Sequence, residues 1–256
     1  MSSVPLSTAL PQAEVADDPR TFPHVPRSVC SAWRNAERRS RAEDHARKFP
    51  DLRTFARNAQ SRRWHEPDPR VVATQWSKTY FSTLLPAALL PCLLHDWSLP
   101  LAPATIGLQL SPAGAVSGFT LSSEGGCRNP PEMTAGRFDS LVEEHLRPVI
   151  DMLAAATPLP AKVLWSNAGN VFENVVGRAS GLLGADHPAV KEGLAIMVER
   201  RDASGRANPL FQPIRYVHYN GARVRQRRVC CLRYFTPELG YCKSCPKSDT
   251  GEAGSN

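Results

Sequence analysis

The chain has 256 residues, 42% hydrophobic and 21% charged, a globular composition with length for one large domain or two small ones. Its 31 basic against 24 acidic residues give a net charge of +7, which allows an acidic partner without demanding nucleic acid. Seven cysteines, an odd number with four crowded together, suit thiolate ligands better than a disulfide framework, and a reducing cytoplasm fits that usage.

Residues 1–26 are rich in proline and lack the basic start and unbroken apolar core of a secretory signal, so they read as a mobile tail. From Arg27 to Arg63 the chain is heavily charged, with RNAERRSRAEDHARK following Trp33. A basic helix of this kind can approach nucleic acid or an anionic membrane surface. Glu37, Glu43 and Asp44, however, are interleaved at spacings that allow helical ion pairs, and the run reads as a solvated face.

Pro67 and Pro69 precede VVATQWSKTYFSTLLPAALLPCLLHDW, one long or kinked helix with Pro86 and Pro91 inside it. Its apolar run from Leu84 to Leu94 falls well short of the about 20 residues a membrane span needs. It is a core helix or at most an interfacial one, which leaves room for peripheral association with an inner membrane. Cys92 within it reads as a buried apolar residue, and His95 and Asp96 as a helix end.

The stretch ATIGLQLSPAGAVSGFTLSS alternates about Pro112-Ala113-Gly114 and predicts a β-hairpin, and EGGCRNPPEM, with the isolated Cys127, a loop. Apolar positions 138, 141, 142, 146, 149, 150 and 153 predict a helix over RFDSLVEEHLRPVIDMLAAA. Two more helices are expected over KVLWSNAGNVFENVVGRASGLLG and AVKEGLAIMVERR. After Asn208, FQPIRYVHYNGARVRQRRVCC reads as a second hairpin turning at Asn220-Gly221. The fold class is α+β, mainly helical with a short antiparallel sheet, and no Walker, dinucleotide or Ser-His-Asp pattern stands out.

That hairpin delivers the chain to VCCLRYFTPELGYCKSCP, a C-C-x10-C-x2-C arrangement of Cys230, Cys231, Cys242 and Cys245. Cys242 and Cys245 form a C-x2-C turn whose thiolates can converge on one metal, and Pro246 stops any helix there. Neighbouring side chains diverge in helix and strand alike, so Cys230 and Cys231 can serve one centre only where the backbone turns. Zinc pairs are normally separated by two to four residues, which fits adjacent cysteines poorly. A [2Fe-2S] cluster offers two irons to reach, and all four cysteines read as its ligands, with the pairing left open.

The motif resembles that of the ferric-siderophore reductase family, the FhuF type, in which these four cysteines hold a [2Fe-2S] cluster. A weaker likeness extends to QWSKTYFSTLLPAALL from Gln75 and LWSNAGNVFENVVG from Leu164, so the resemblance covers roughly residues 70 to 246. It implies a cytoplasmic reductase that passes one electron to siderophore-bound Fe(III), hydroxamates being the expected class, and releases Fe(II). Reduction weakens binding by the hard oxygen donors of a siderophore, and no catalytic residue beyond the ligands is needed.

Three units follow: the tail 1–26, a mainly helical siderophore-reductase domain over 27–208, and a hairpin with the cluster segment over 209–256. For the substrate the candidates are Trp76, Lys78, Tyr80, Trp165, Asn167, Tyr216 and His218, aromatic walls with hydrogen-bonding groups, although each type also fills cores. For an acidic ferredoxin- or flavodoxin-type donor they are Arg223, Arg225, Arg227, Arg228 and Arg233, together with Lys243 and Lys247, although these also suit a solvated hairpin. Cys30, Cys92 and Cys127 are not expected to be ligands, and no nucleic-acid partner is expected. The alternative is a zinc-stabilised binding module with a basic face for nucleic acid or an acidic partner. A vicinal Cys230-Cys231 disulfide switch leaves Cys242 and Cys245 without a role.

Overall fold

A computed structural model describes residues 68–128, 136–202 and 204–248. The N-terminal tail, the charged stretch over 27–63 and Cys30 lie outside the described residues.

The first helix, α1 (Pro69–His95), starts where its sequence provides a cap. The Asp68 carboxylate accepts from the Arg70 N–H at 2.8 Å, and Pro69 occupies the first turn, where no N–H is missed. Pro86 and Pro91 each remove one internal hydrogen bond, yet the helix runs through both because its sides are locked in the core. Trp76, Tyr80 and Leu84 succeed one another four residues apart and, with Phe81, Leu85 and Leu89, are fully enclosed. The helix ends at Asp96, left-handed at φ 53°, whose carboxylate pairs with Arg137.

Against α1 lies a hairpin of β2 (Ile106–Leu110) and β3 (Val116–Leu121), and the two-residue β1 (Trp97–Ser98) pairs with β4 (Gly126–Cys127). Phe119 meets Tyr80 edge-on at 5.1 Å, and the Trp76 indole donates to Gly114 O at 3.0 Å. A π-helical stretch, Ser140–Leu146, leads into α2 (Arg147–Ala156), where the sequence predicts one regular helix. Pro148 has no N–H to return to Glu144, and the Arg147 N–H reaches back to Val142 instead.

The second long helix, α3 (Ala161–Leu183), packs along α1, with Phe172 meeting Phe138 at 5.4 Å. Helix α4 (Pro188–Val198) is shorter than its sequence suggests. Glu199 is extended, and the Asn208 amide donates to the carbonyls of Ile196 and Glu199 at the helix end. The last hairpin, β5 (Ile214–Tyr219) and β6 (Ala222–Arg227), turns at Asn220 and Gly221, both with positive φ. The fold is α+β and mainly helical as the sequence predicts, and the antiparallel pairing among the described residues is divided into three separate two-stranded ladders.

Gly169 on α3 lets the helix approach the start of this hairpin, since a Cβ there falls 2.6 Å from Pro213 Cβ. Gly169→Ala is therefore expected to lower stability in chemical denaturation by about 1–3 kcal/mol, the usual result of overpacking. Gly177→Ala on the same helix meets nothing within 4 Å and is expected to raise stability by about 0.8 kcal/mol through helix propensity alone.

Candidate metal centre

Strand β6 leads into the cysteine segment, and the Arg227 N–H donates to Ser244 O at 2.9 Å, tying the strand end to the chain's return. Leu232, left-handed at φ 59°, turns the backbone just after the adjacent cysteines, the turn their convergence requires. Two short 3-10 turns, Arg233–Phe235 and Pro237–Leu239, bring the chain back to Cys242, and the Cys245 N–H closes on Cys242 O at 2.9 Å. The Leu232 N–H donates to Cys230 Sγ and the Lys247 N–H to Cys245 Sγ, each at 3.4 Å.

The four thiols form two pairs. Cys231 and Cys242 have their sulfurs 3.7 Å apart, and among the thiols Cys245 acts most strongly on Cys230. Two thiolates on one tetrahedral metal at about 2.3 Å stand about 3.8 Å apart, so the first pair has the separation of ligands to a single ion. Each pair joins a buried sulfur residue, Cys231 or Cys245, to a half-buried one, Cys242 or Cys230.

Charge at the site is uneven. Lys78, from α1, donates through Nζ to Cys231 Sγ at 2.9 Å. Arg227 is 2% exposed, and its hydrogen bonds go to neutral groups, Ser166 Oγ at 3.1 Å and Asn167 Oδ1 at 2.5 Å. Burial works against its charge, and the thiols of Cys231, Cys242 and Cys230 work for it. Cys231 is drawn down to about 4 by its hydrogen bond with Cys242 and by Lys78 and Arg227. Cys242 moves up in response, and burial raises Cys230.

Several expected substrate residues lie elsewhere. Trp76 and Tyr80 are wholly buried, Tyr80 against His145 Nε2 at 2.8 Å, and have no surface to offer a bulky ligand. Trp165 is buried with the Arg147 guanidinium 5.6 Å over its ring. The Asn167 amide donates to Thr74 Oγ1 and Ser77 Oγ, both at 2.9 Å, and orients Arg227. Lys78 faces a cysteine. Tyr216 and His218 are exposed on β5, and the Tyr216 hydroxyl donates to Glu173.

The arginines do not form a common exposed face either. Arg223, Arg225 and Arg227 share one side of β6, but Arg225 is drawn to Glu173 and Asn170 on α3, Arg227 at the strand end is interior, and Arg223 near the turn lies over the Tyr216 ring. Arg228 is exposed and bonded to Gln212, and Arg233 is half-buried.

Sequence reading missed Ser166, which also donates to Val229 O, and Gln226, whose amide donates to Cys245 O. It missed the aromatic cluster between the cysteine pairs as well. Tyr234 stacks on Phe235 at 4.6 Å and on Tyr241 at 5.6 Å, Arg70 lies over Phe235, and Lys247 lies over Tyr234. Three aromatic residues inside the ten positions between Cys231 and Cys242 were the available signal.

The family described as "Ferric iron reductase FhuF-like transporter" matches residues 74–224, and that described as "FhuF 2Fe-2S C-terminal domain" matches residues 227–247. The chain belongs to the FhuF-like ferric iron reductase family. The two matches meet within β6. A ferric siderophore reductase of Escherichia coli (strain K12) is 27% identical over 172 residues, 66% of this chain and 63% of that protein, so the chain spans less than two thirds of that relative.

The FhuF-type cofactor is a [2Fe-2S] cluster, and the residues present suit it. Two thiol pairs match two irons. Three buried side-chain atoms without a hydrogen-bond partner, Arg227 Nε, Arg233 Nε and Thr236 Oγ1, occur in this short segment, as donors left for sulfide or thiolate acceptors.

The buried network around Arg227 gives a stability prediction. Asn167→Leu keeps the volume but removes an acceptor from a buried guanidinium, and is expected to cost about 1.5–3 kcal/mol in denaturant unfolding of the iron-free protein. An unchanged midpoint counts against the Asn167–Arg227 link.

Proposed function

We propose that this chain reduces siderophore-bound Fe(III) to Fe(II), with Cys230, Cys231, Cys242 and Cys245 as the ligands of its [2Fe-2S] cluster. The observation that carries the reading is the approach of the Cys231 and Cys242 sulfurs to 3.7 Å, beside Cys230 and Cys245, inside a segment that matches the 2Fe-2S domain of a ferric reductase family. When bound, the cluster supplies and accepts single electrons. The chain's own residues hold the thiols in place, neutralise part of their charge through Lys78 and Arg227, and leave Cys230 and Cys242 half-buried at the surface.

The substrate meets the protein at Tyr234, Phe235 and Tyr241, of which Phe235 is 43% and Tyr241 44% exposed. These rings stand between the two cysteine pairs in sequence, beside the cations of Arg70 and Lys247, and suit a bulky ligand with an oxygen-rich surface. Hydroxamates are the preferred class by family resemblance. An acidic ferredoxin- or flavodoxin-type protein supplies the electron and is drawn by the exposed Arg223, Arg228, Lys243 and Lys247. No helix among the described residues is long and apolar enough to cross a membrane, and the proposed setting is the cytoplasm, where thiols stay reduced.

Iron and acid-labile sulfide analysis with visible and electron-paramagnetic-resonance spectra tests the ligands. Two irons and two sulfides per chain are expected, and serine at any of Cys230, Cys231, Cys242 or Cys245 abolishes the spectrum, whereas serine at Cys30, Cys92 or Cys127 leaves it intact. Stoichiometric zinc, or an unchanged spectrum in Cys231→Ser, overturns the assignment.

For the substrate face, the double variant Phe235→Ser/Tyr241→Ser loses two aromatic contacts of about 0.5–1.5 kcal/mol each, so turnover of a ferric hydroxamate should fall about tenfold. Reduction by dithionite should stay unchanged. If reduction by a ferredoxin slows instead, and does so in a salt-dependent way, the rings serve the donor.

A further inference from the structure

The charges around the cysteines are distributed unequally between the two pairs. Cys231 accepts a hydrogen bond from the Lys78 ammonium at 2.9 Å, and the thiols that favour the buried Arg227 charge most are those of Cys231 and then Cys242. Cys230 and Cys245 accept neutral backbone N–H groups at 3.4 Å. Lys247, two residues beyond Cys245, is exposed and gives its ammonium to the Tyr234 hydroxyl at 2.9 Å.

Lys78 differs from an ordinary surface lysine. It is half-buried on α1, between the enclosed Trp76 and Tyr80, and reaches a residue 153 positions away. Arg227 is likewise fixed by Ser166 and Asn167. Both cations are held by the helical body, and Lys78 reaches Cys231 directly.

We infer that Lys78 raises the reduction potential of the bound cluster and directs the reducing electron to the iron carried by Cys231 and Cys242. The inference rests on the proposal that the four cysteines are the ligands. One-electron reduction takes two Fe(III) to one Fe(III) and one Fe(II). It adds one negative charge, breaks no bond and moves no proton, the electron coming from an external reductant such as dithionite. A fixed positive charge a hydrogen bond away favours the more negative state, and favours it most at the nearer iron. Lys78 is a positioning residue in this scheme, acting through Cys231.

The test compares Lys78→Met, Lys78→Gln and Lys78→Arg in the iron-loaded full chain, by dithionite titration followed in the visible spectrum. With iron and sulfide content unchanged, the Met and Gln variants should favour the oxidised form at least tenfold more than the parent, a fall of about 59 mV for one electron. Lys78→Arg should restore the parent potential. A parent-like potential in Met and Gln with full occupancy overturns the inference while leaving the ligand assignment intact, as does a fall in Met alone, which assigns the effect to the hydrogen bond. A parent protein without iron and sulfide removes the ligand assignment and the inference together.

The proton NMR spectrum of the reduced protein tests the direction separately. Cysteine β-protons whose shifts grow on warming mark the ferrous site, and nuclear Overhauser contacts should assign them to Cys231 and Cys242. Assignment to Cys230 and Cys245 overturns the localisation.

Discussion

A guanidinium 2% exposed, with no carboxylate among its hydrogen-bond partners, is the constraint around which this protein is arranged. Burying an unpaired charge costs several kcal/mol, so Arg227 is tolerable only where other groups compensate. Asn167 and Ser166 satisfy part of it as neutral acceptors, and the thiols supply the opposite charge. Thr74 and Ser77 on α1 fix the Asn167 amide, so a continuous chain of polar contacts joins α1, α3, β6 and the cysteine segment. Gly169 belongs to the same arrangement, since only a residue without a side chain lets α3 sit so close to Pro213.

The aromatic cluster between the cysteine pairs stands at the opposite extreme of burial. Tyr234, Phe235 and Tyr241 are held by stacking on one another and by cations from two distant parts of the chain, Arg70 and Lys247. Arg70 is itself fixed, since its guanidinium forms a two-point ion pair with the capping Asp68. The start of α1 therefore sets both a helix boundary and one edge of the cysteine loop.

The helices and both hairpins were legible because their apolar periods of 3.6 and two residues are local, and the cysteine motif because its spacing is unusual. The side-chain roles were less legible, for a physical reason. Trp76 and Tyr80 combine a ring with a polar tip, as a ligand contact does, but their four-residue spacing puts both on the buried side of α1, where the polar tips meet Gly114 and His145. The arginines of β6 read as one basic patch when counted, yet the side of the strand they share packs against α3, where Arg225 and Arg227 find their partners. Pro148 marks the start of α2 in the sequence, but the wide π turn before it depends on how the preceding carbonyls are placed. The Lys78–Cys231 contact spans 153 residues, and no periodicity or spacing rule reaches that far.

That separation also has a consequence for biosynthesis. Lys78, Ser166 and Asn167 are all made before Cys230 leaves the ribosome, and α1 and α3 can pack against each other in the meantime. The cysteine segment then arrives at a finished cradle of positive charge and closes a long loop, a slow step when left to chance. Whatever delivers iron and sulfide to this chain accordingly meets a helical body already made, and the task at the site is local, the ordering of some twenty residues.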